Sequence, residues 1–140
     1  MGNDLEPLYG LIRRFEGCRL TPYICPGGVW TCGWGSTGAG VFPGKPWTQE
    51  QADSRMKADA KAFVDGTLRL CPDLEGDRLC AIADFAYNLG LGALRASTLR
   101  KRLQEGAWEA AGHELRRWVN ARGRRLPGLV LRREAEATLL

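Results

Sequence analysis

Between residues 18 and 47 the chain loses its helical periodicity, and this break constrains the fold more than any other feature. The segment gathers many of the glycines, three cysteines, and Pro22, Pro26, Pro43 and Pro46. Prolines at that density cannot continue a helix. Val29-Trp30-Thr31 is β-prone and follows Gly27-Gly28, a turn signal. Short antiparallel strands joined by tight turns are therefore expected. A sheet so small must lean on helices.

The flanks are helical. Leu5, Leu8, Ile12 and Phe15 recur at three- and four-residue spacing, predicting a helix over 4–15 with Pro7 in its first turn and Gly17 after it. Thr48-Gln49-Glu50-Gln51 reads as a capping box opening a helix to about Asp65, with Gly66 as its stop. A further helix is predicted from about Asp73 to Gly90, turning Leu74, Leu79, Ile82, Phe85 and Leu89 toward a core. Ser97 or Thr98 caps a short one ending at Gly106, and 107–119 carries Trp108, Ala111, Leu115 and Trp118 at helical spacing. Residues 120–126 read as a basic turn, and Pro127 opens the last helix. This element order is α+β: a small antiparallel β-hairpin lobe (about 18–47) packs against a mainly α-helical lobe (about 48–140, plus helix 4–15). The crevice between the lobes is where ligand sites tend to form. At 140 residues one domain spanning 1–140 is expected.

Several function classes are disfavoured. No window approaches the ~20 apolar residues of a membrane span. The start, Met1 to Leu8, lacks the basic and apolar regions of a signal peptide, and Glu6 spoils a myristoylation reading. His113 is the only histidine and no Cys-x-x-Cys pair occurs, so a zinc site or a Ser-His-Asp or Cys-His hydrolase is not expected. The cysteines, Cys18, Cys25, Cys32, Cys71 and Cys80, are odd in number, so at least one is unpaired in a monomer. Net charge is +4, with seven arginines between Arg116 and Arg133. Such a surface either is a solvated helix face or attracts polyanions such as nucleic acid, a membrane surface or cell wall.

Glu16 closes the first apolar stripe just where the glycine-rich segment begins. A carboxyl at this junction either ends a helix in solvent or sits in the crevice, where partial desolvation would suit a general acid. A glutamate at a helix C-terminus also opposes the helix dipole, a cost that hints at a purpose.

Residues 16–37 read Glu-Gly-Cys-Arg-Leu-Thr-Pro-Tyr-Ile-Cys-Pro-Gly-Gly-Val-Trp-Thr-Cys-Gly-Trp-Gly-Ser-Thr. This segment resembles the catalytic segment of the phage-type lysozymes, or endolysins, of glycoside hydrolase family 24. In that family a Glu is followed after eight residues by Asp or Cys and after five more by Thr; Glu16, Cys25 and Thr31 hold those spacings. Phe85-Ala-Tyr-Asn-Leu-Gly90 resembles the family's central helix, Ser97-Thr98-Leu99 the helix start after it, and Trp118 with Gly128 to Glu134 its C-terminal part.

The resemblance implies a lysozyme-like fold and an N-acetylmuramidase that hydrolyses the β-1,4 bond between N-acetylmuramic acid and N-acetylglucosamine, causing lysis of a bacterial host. Glu16 would protonate the leaving oxygen. Cys25 would be a nucleophile or a negative partner to the transition state, and Thr31 would orient water. With Cys where many relatives have Asp, inverting and retaining courses both stay open. Asn88, Ser97 and Thr98 would contact glycan, although Asn88 also suits a helix end and Ser97 or Thr98 a cap. Arg132 or Arg133 would reach Glu16 or the anionic peptide stem. Tyr23, Trp30 and Trp34 either stack on sugars or belong to the core.

No cofactor or metal is implied. The expected partner is bacterial peptidoglycan, with a holin-type membrane partner acting upstream without stable binding. A monomer that does not use nucleic acid is expected, held in the host cytoplasm until release and then acting on the wall in the periplasm. Some relatives tie up the catalytic Cys in a disulfide, and a Cys18–Cys25 bond would give redox latency if their Cα atoms lie within roughly 7 Å. Cys32 is expected to be packed, and Cys71 and Cys80 to be core residues or a local bridge. Two other readings stay open: a non-catalytic basic module that binds cell wall or nucleic acid, and a lytic transglycosylase on the same fold.

Overall fold

The computed structural model describes residues 3–140; Met1 and Gly2, part of the segment read above for a leader, lie outside the described residues. Helix α1 (Glu6–Glu16) is followed by strands β1 (Arg19–Ile24), β2 (Trp30–Gly33) and β3 (Ser36–Thr37). Then come α2 (Gln49–Leu70), α3 (Gly76–Leu89), α4 (Leu91–Ala96), α5 (Thr98–Gln104) and α6 (Trp108–Leu115). A two-stranded hairpin, β4 (Asn120–Ala121) and β5 (Arg124–Arg125), leads into α7 (Pro127–Ala137). The fold is α+β, with strand order β1-β2-β3 in the larger antiparallel sheet. No described helix is long and apolar enough to cross a membrane.

Local chemistry sets most of these boundaries. Pro7 lies in the first turn of α1 and Pro127 in that of α7, where a missing N–H costs nothing. Thr48 Oγ1 accepts from the Gln51 N–H at 3.1 Å while Gln51 Oε1 accepts from the Thr48 N–H at 2.8 Å, a complete capping box. The basic turn of the sequence reading is β4–β5, whose loop places Arg122 and Gly123 both at positive φ (53° and 75°), the two-residue turn that matches strand twist.

Three boundaries differ from the sequence reading. Helix α2 runs through Gly66 to Leu70 instead of stopping. Gly66 is buried, and a Cβ there would lie 2.3 Å from Leu91 Cδ1, so this glycine permits close packing of α4 rather than ending a helix. The segment after Gly90 forms α4, which its glycines concealed. Helix α6 covers Trp108–Leu115, shorter than 107–119, because the chain turns through Leu115–Trp118 toward β4.

The core draws Leu8 and Ile12 from α1, Met56, Ala60 and Val64 from α2, and Leu79 to Phe85 from α3. It adds Leu94, Leu99, Leu103, Ala111 and Leu115 from α4 to α6. Helix α3 runs through the middle, buried from Leu79 to Ala86. Phe85 meets Trp118 edge-on, with ring centroids 5.3 Å apart.

The β lobe is tied to α2 at several points. Trp34 Nε1 donates to Asp53 Oδ1 at 2.8 Å, and Ser36 Oγ donates to Asp59 Oδ2 at 2.7 Å. Arg55 pairs with Asp59 at 2.9 Å and donates to the Thr37 and Ala39 carbonyls. The Trp34 indole and then the Gln49 amide hold the Asp53 carboxyl below its usual range, so this tie is made by a carboxylate at neutral pH. Replacing Thr48 by Ala removes one half of the capping box, and the expected loss is about 1 kcal/mol. In a thermal melt that corresponds to a midpoint lowered by about 2–4 °C.

Candidate active site

Glu16 is the last residue of α1, and Gly17 at φ 69° turns the chain away into the sheet. Its side chain is 21% exposed. Glu16 Oε2 accepts from Arg132 Nη1 of α7 at 2.7 Å. Arg132 also grips Asp84 of α3 with both remaining arms, Nε to Oδ2 at 2.9 Å and Nη2 to Oδ1 at 2.8 Å. Burial disfavours the Arg132 cation, but Asp84 and Glu16 outweigh it and hold the guanidinium firmly protonated. Burial likewise pushes against ionised Asp84, yet the bonds from Arg132 and Glu136 bring its carboxyl below the usual range.

The next residue of α7 repeats the pattern. Arg133 Nη2 donates to Asn88 Oδ1 at 2.8 Å and to Glu136 Oε2 at 2.9 Å. Its Nε lies 2.8 Å from Glu136 Oε1, but off line for a hydrogen bond, so that oxygen accepts none. Glu16, Asn88 and Arg132, with Phe15 and Leu126 to Leu129, line an open cleft of about 450 Å³. Gly35, at φ 87°, presses on the acid from the β lobe: a Cβ there would lie 2.7 Å from Glu16 Oε1.

The other candidate residues sit on the β1–β2 hairpin. Tyr23 pairs with Thr31, and the Cys25 N–H bonds the Val29 carbonyl at 3.0 Å, so alternation puts Tyr23, Cys25 and Thr31 on one face. Tyr23 senses the charges of both Glu16 and Cys25, although burial is the larger reason its hydroxyl titrates above the usual value. Thr31 is buried, and its hydroxyl has one proton for two acceptors, the Val29 carbonyl at 2.9 Å and the Cys25 sulfur. The Val29 N–H, then the Thr31 hydroxyl and the Gly27 N–H, draw the Cys25 thiol below its ordinary pKa.

The remaining expectations divide. Ser97, read as a glycan contact or a helix cap, is a buried N-cap: its Oγ accepts from the Arg100 N–H at 3.0 Å and donates to the Leu94 carbonyl at 2.7 Å. Thr98 is exposed but lines a separate hollow with Glu114, Arg117 and Trp118. Trp34 packs on the core and bonds Asp53, whereas Trp30 is exposed on the hairpin. All five cysteines are free: Cys32, Cys71 and Cys80 are buried, and Cys18 accepts from the Gln49 amide at 3.7 Å. The possible Cys71–Cys80 bridge is therefore absent. Among the described residues no three His, Cys, Asp or Glu side chains gather as a metal-holding group.

Sequence reasoning missed Asp84, Glu136 and Gly35. It also missed Tyr87, whose hydroxyl donates to the Trp34 carbonyl at 2.7 Å and fastens the sheet to α3. The thiols supply a direct test. A lowered pKa means more thiolate at neutral pH, so Cys25 should alkylate at half its limiting rate at a pH below that of a free thiol. Cys71 and Cys80, raised by burial, should stay unmodified until the protein unfolds, as peptide mapping would show.

Residues 13–136 match the family model described as phage lysozyme. The endolysin of Bacillus phage B103 is 38% identical over 132 residues, covering 92% of this chain and 50% of that protein. This chain thus spans about half the length of the Bacillus phage endolysins it matches. The crystal structure of the active form of P1 phage endolysin Lyz superposes with a TM-score of 0.86 at 31% identity, covering 98% of this chain and 83% of that one. The muramidase domain of SpmX from Asticaccaulis excentricus gives 0.88 at 27% identity, covering 98% and 97%. The chain, with its acid-bearing helix end set against a small hairpin lobe, belongs to the phage lysozyme family.

Proposed function

We propose that residues 1–140 act as one catalytic domain that degrades peptidoglycan as an endolysin. Its reaction is cleavage of the β-1,4 bond between N-acetylmuramic acid and N-acetylglucosamine, with Glu16 as general acid. One observation carries this reading: a part-buried carboxyl held by Arg132 at 2.7 Å, opening on a cleft and closely approached by Gly35 of the β lobe. The relatives named endolysin and muramidase support the choice of substrate.

The chemistry follows from the charges. A sugar alkoxide leaves poorly, so the departing oxygen needs a proton, and Glu16 is placed to give it. The carboxylate that remains faces Arg132, already in position, so no reorganisation is needed as charge develops. The oxocarbenium-like centre needs a negative partner, and Cys25, with its lowered thiol pKa, can supply a thiolate. Asn88, fixed by Arg133, offers its amide N–H to the glycan at the cleft wall. In this reading the wall is reached in the periplasm after a holin-type partner opens the host membrane. A Cys18–Cys25 disulfide would silence the hairpin thiol before release.

A specific observation also favours lytic transglycosylation. Thr31 is buried and its hydroxyl proton is engaged by Val29 or Cys25, which leaves it poorly placed to hold an attacking water. Mass spectrometry of digested walls in oxygen-18 water separates the two: hydrolysis labels the new reducing end, whereas transglycosylation gives an unlabelled anhydro-sugar.

Glu16→Gln should lower wall clearing by about 10²–10⁴-fold while wall binding persists. Clearing at the parental rate would refute the assignment, and binding without clearing by both proteins would indicate a non-catalytic wall-binding module. Cys25→Ala should also lose activity, and reductant should raise the parent's activity if the Cys18–Cys25 bond forms. Gly35→Ala should displace Glu16 and reduce turnover by about 100-fold, with a circular dichroism spectrum like the parent's.

A further inference from the structure

Glu136 has no place in the cleft, yet it lies at the centre of the charges that reach it. Arg132, Arg133, Asp84 and Glu136 are each at most 3% exposed. Charges so deep survive only when paired and hydrogen-bonded. Asp84 and Glu136 are hydrogen-bonded to each other, and two carboxyl groups can bond only if one keeps a proton.

The bonding pattern says which one. Asp84 receives both arms of Arg132 at 2.8 and 2.9 Å, the fork that fits a carboxylate. Glu136 has one well-aligned bond from Arg133, at 2.9 Å; Arg133 Nε stands 2.8 Å from its Oε1 but off line, so Oε1 accepts no hydrogen bond and can carry the proton. We propose that Glu136 is a positioning residue: protonated and donating to Asp84, it keeps Arg132 on Glu16 and Arg133 on Asn88. This rests on the reading of Glu16 as the acid.

The charge count explains what the proton achieves. With Glu136 neutral, the buried four carry two positive charges and one negative, so one positive charge remains for Glu16. With Glu136 ionised, the four would be self-neutral, and the net pull of the cluster on the Glu16 carboxylate would be weaker. Asp84 from α3, with Arg132 and Arg133 from its own helix, are the charged groups facing Glu136. Burial first and Asp84 next push its carboxyl well above the usual range, in agreement with the count.

The test compares Glu136→Gln, Glu136→Ala and Glu16→Gln in the full chain. Gln reproduces a protonated acid, its NH₂ donating to Asp84 and its oxygen accepting from Arg133. Glu136→Gln should therefore keep the parental turnover and melting point but lose a protonated-carboxyl stretch seen in the parent's infrared spectrum at neutral pH. The parent's activity should decline on the alkaline side as Glu136 ionises, and Glu136→Gln should lose that part of the decline, so that its activity extends to higher pH than the parent's. Glu136→Ala, assayed where circular dichroism shows it folded, should lose about 10- to 100-fold in turnover.

If Glu136→Gln fails as badly as Glu136→Ala, or no acid band is lost, the proposal is wrong. Full turnover by folded Glu136→Ala would overturn it too. If Glu136→Ala does not fold, the Gln variant and the infrared band still decide. Wall clearing by Glu16→Gln would refute the reading of the acid, while the infrared result would still report on Glu136 separately.

Discussion

The three-armed grip of Arg132 is the interaction on which the rest of the site depends. Its guanidinium is planar and fixed, so holding two arms on Asp84 aims the third at Glu16 without further adjustment. Glu16 stands at the C-terminal end of its helix, where the dipole repels a carboxylate. The cation from α7 offsets that repulsion and fixes the side chain in one orientation. A lysine could supply the charge but not the fork, and the aim would be lost.

The β lobe is held by different means. A sheet with strands this short has little stability of its own. It is kept in place by Trp34 on Asp53, Ser36 and Arg55 on Asp59, and Tyr87 on the Trp34 carbonyl. These bonds reach α2 and α3, the helices that carry much of the core. The hairpin bearing Cys25 and Thr31 is thereby referred to the same frame as Asp84, so the β lobe and the arginine cluster share a single support. Gly35 closes the join, since only a residue without a Cβ lets the lobe come so near the acid.

Much of the frame was legible in the sequence because it follows from local rules. The stripe of Leu8, Ile12 and Phe15, the Thr48 box and Pro127 each act within a few residues. Gly66 misled because a glycine that ends a helix and one that admits a neighbouring helix look alike until the neighbour is in place. Helix α4 was hidden for a similar reason, with Gly90 and Gly92 resembling loop punctuation. Glu16, Cys25 and Thr31 stood out through spacing and family resemblance. Asp84 and Glu136 did not, because a charged residue on a helix is ordinarily solvated, and nothing local marks one that is buried. Arg132 and Arg133 were noticed, but their different partners, Glu16 and Asn88, depend on how α7 crosses α3.

That crossing also ties the chemistry to complete folding. Glu16 and Arg132 are 116 residues apart in the chain, and Arg132 and Asp84 are 48 apart. Helix α7 is the last element, so the acid lacks its cation until nearly the whole chain has been built and packed. A partly folded chain would present α1 and the hairpin with Glu16 free to rotate in water. The contact that orders the carboxyl is thus made by the same docking step that buries Arg133 and Glu136. Burying four ionisable side chains is tolerable only with every partner present, because removing one from such a cluster costs about 3–5 kcal/mol. Correct closure of α7 and competence of the cleft are therefore one event, enforced by the penalty for leaving any of those charges alone.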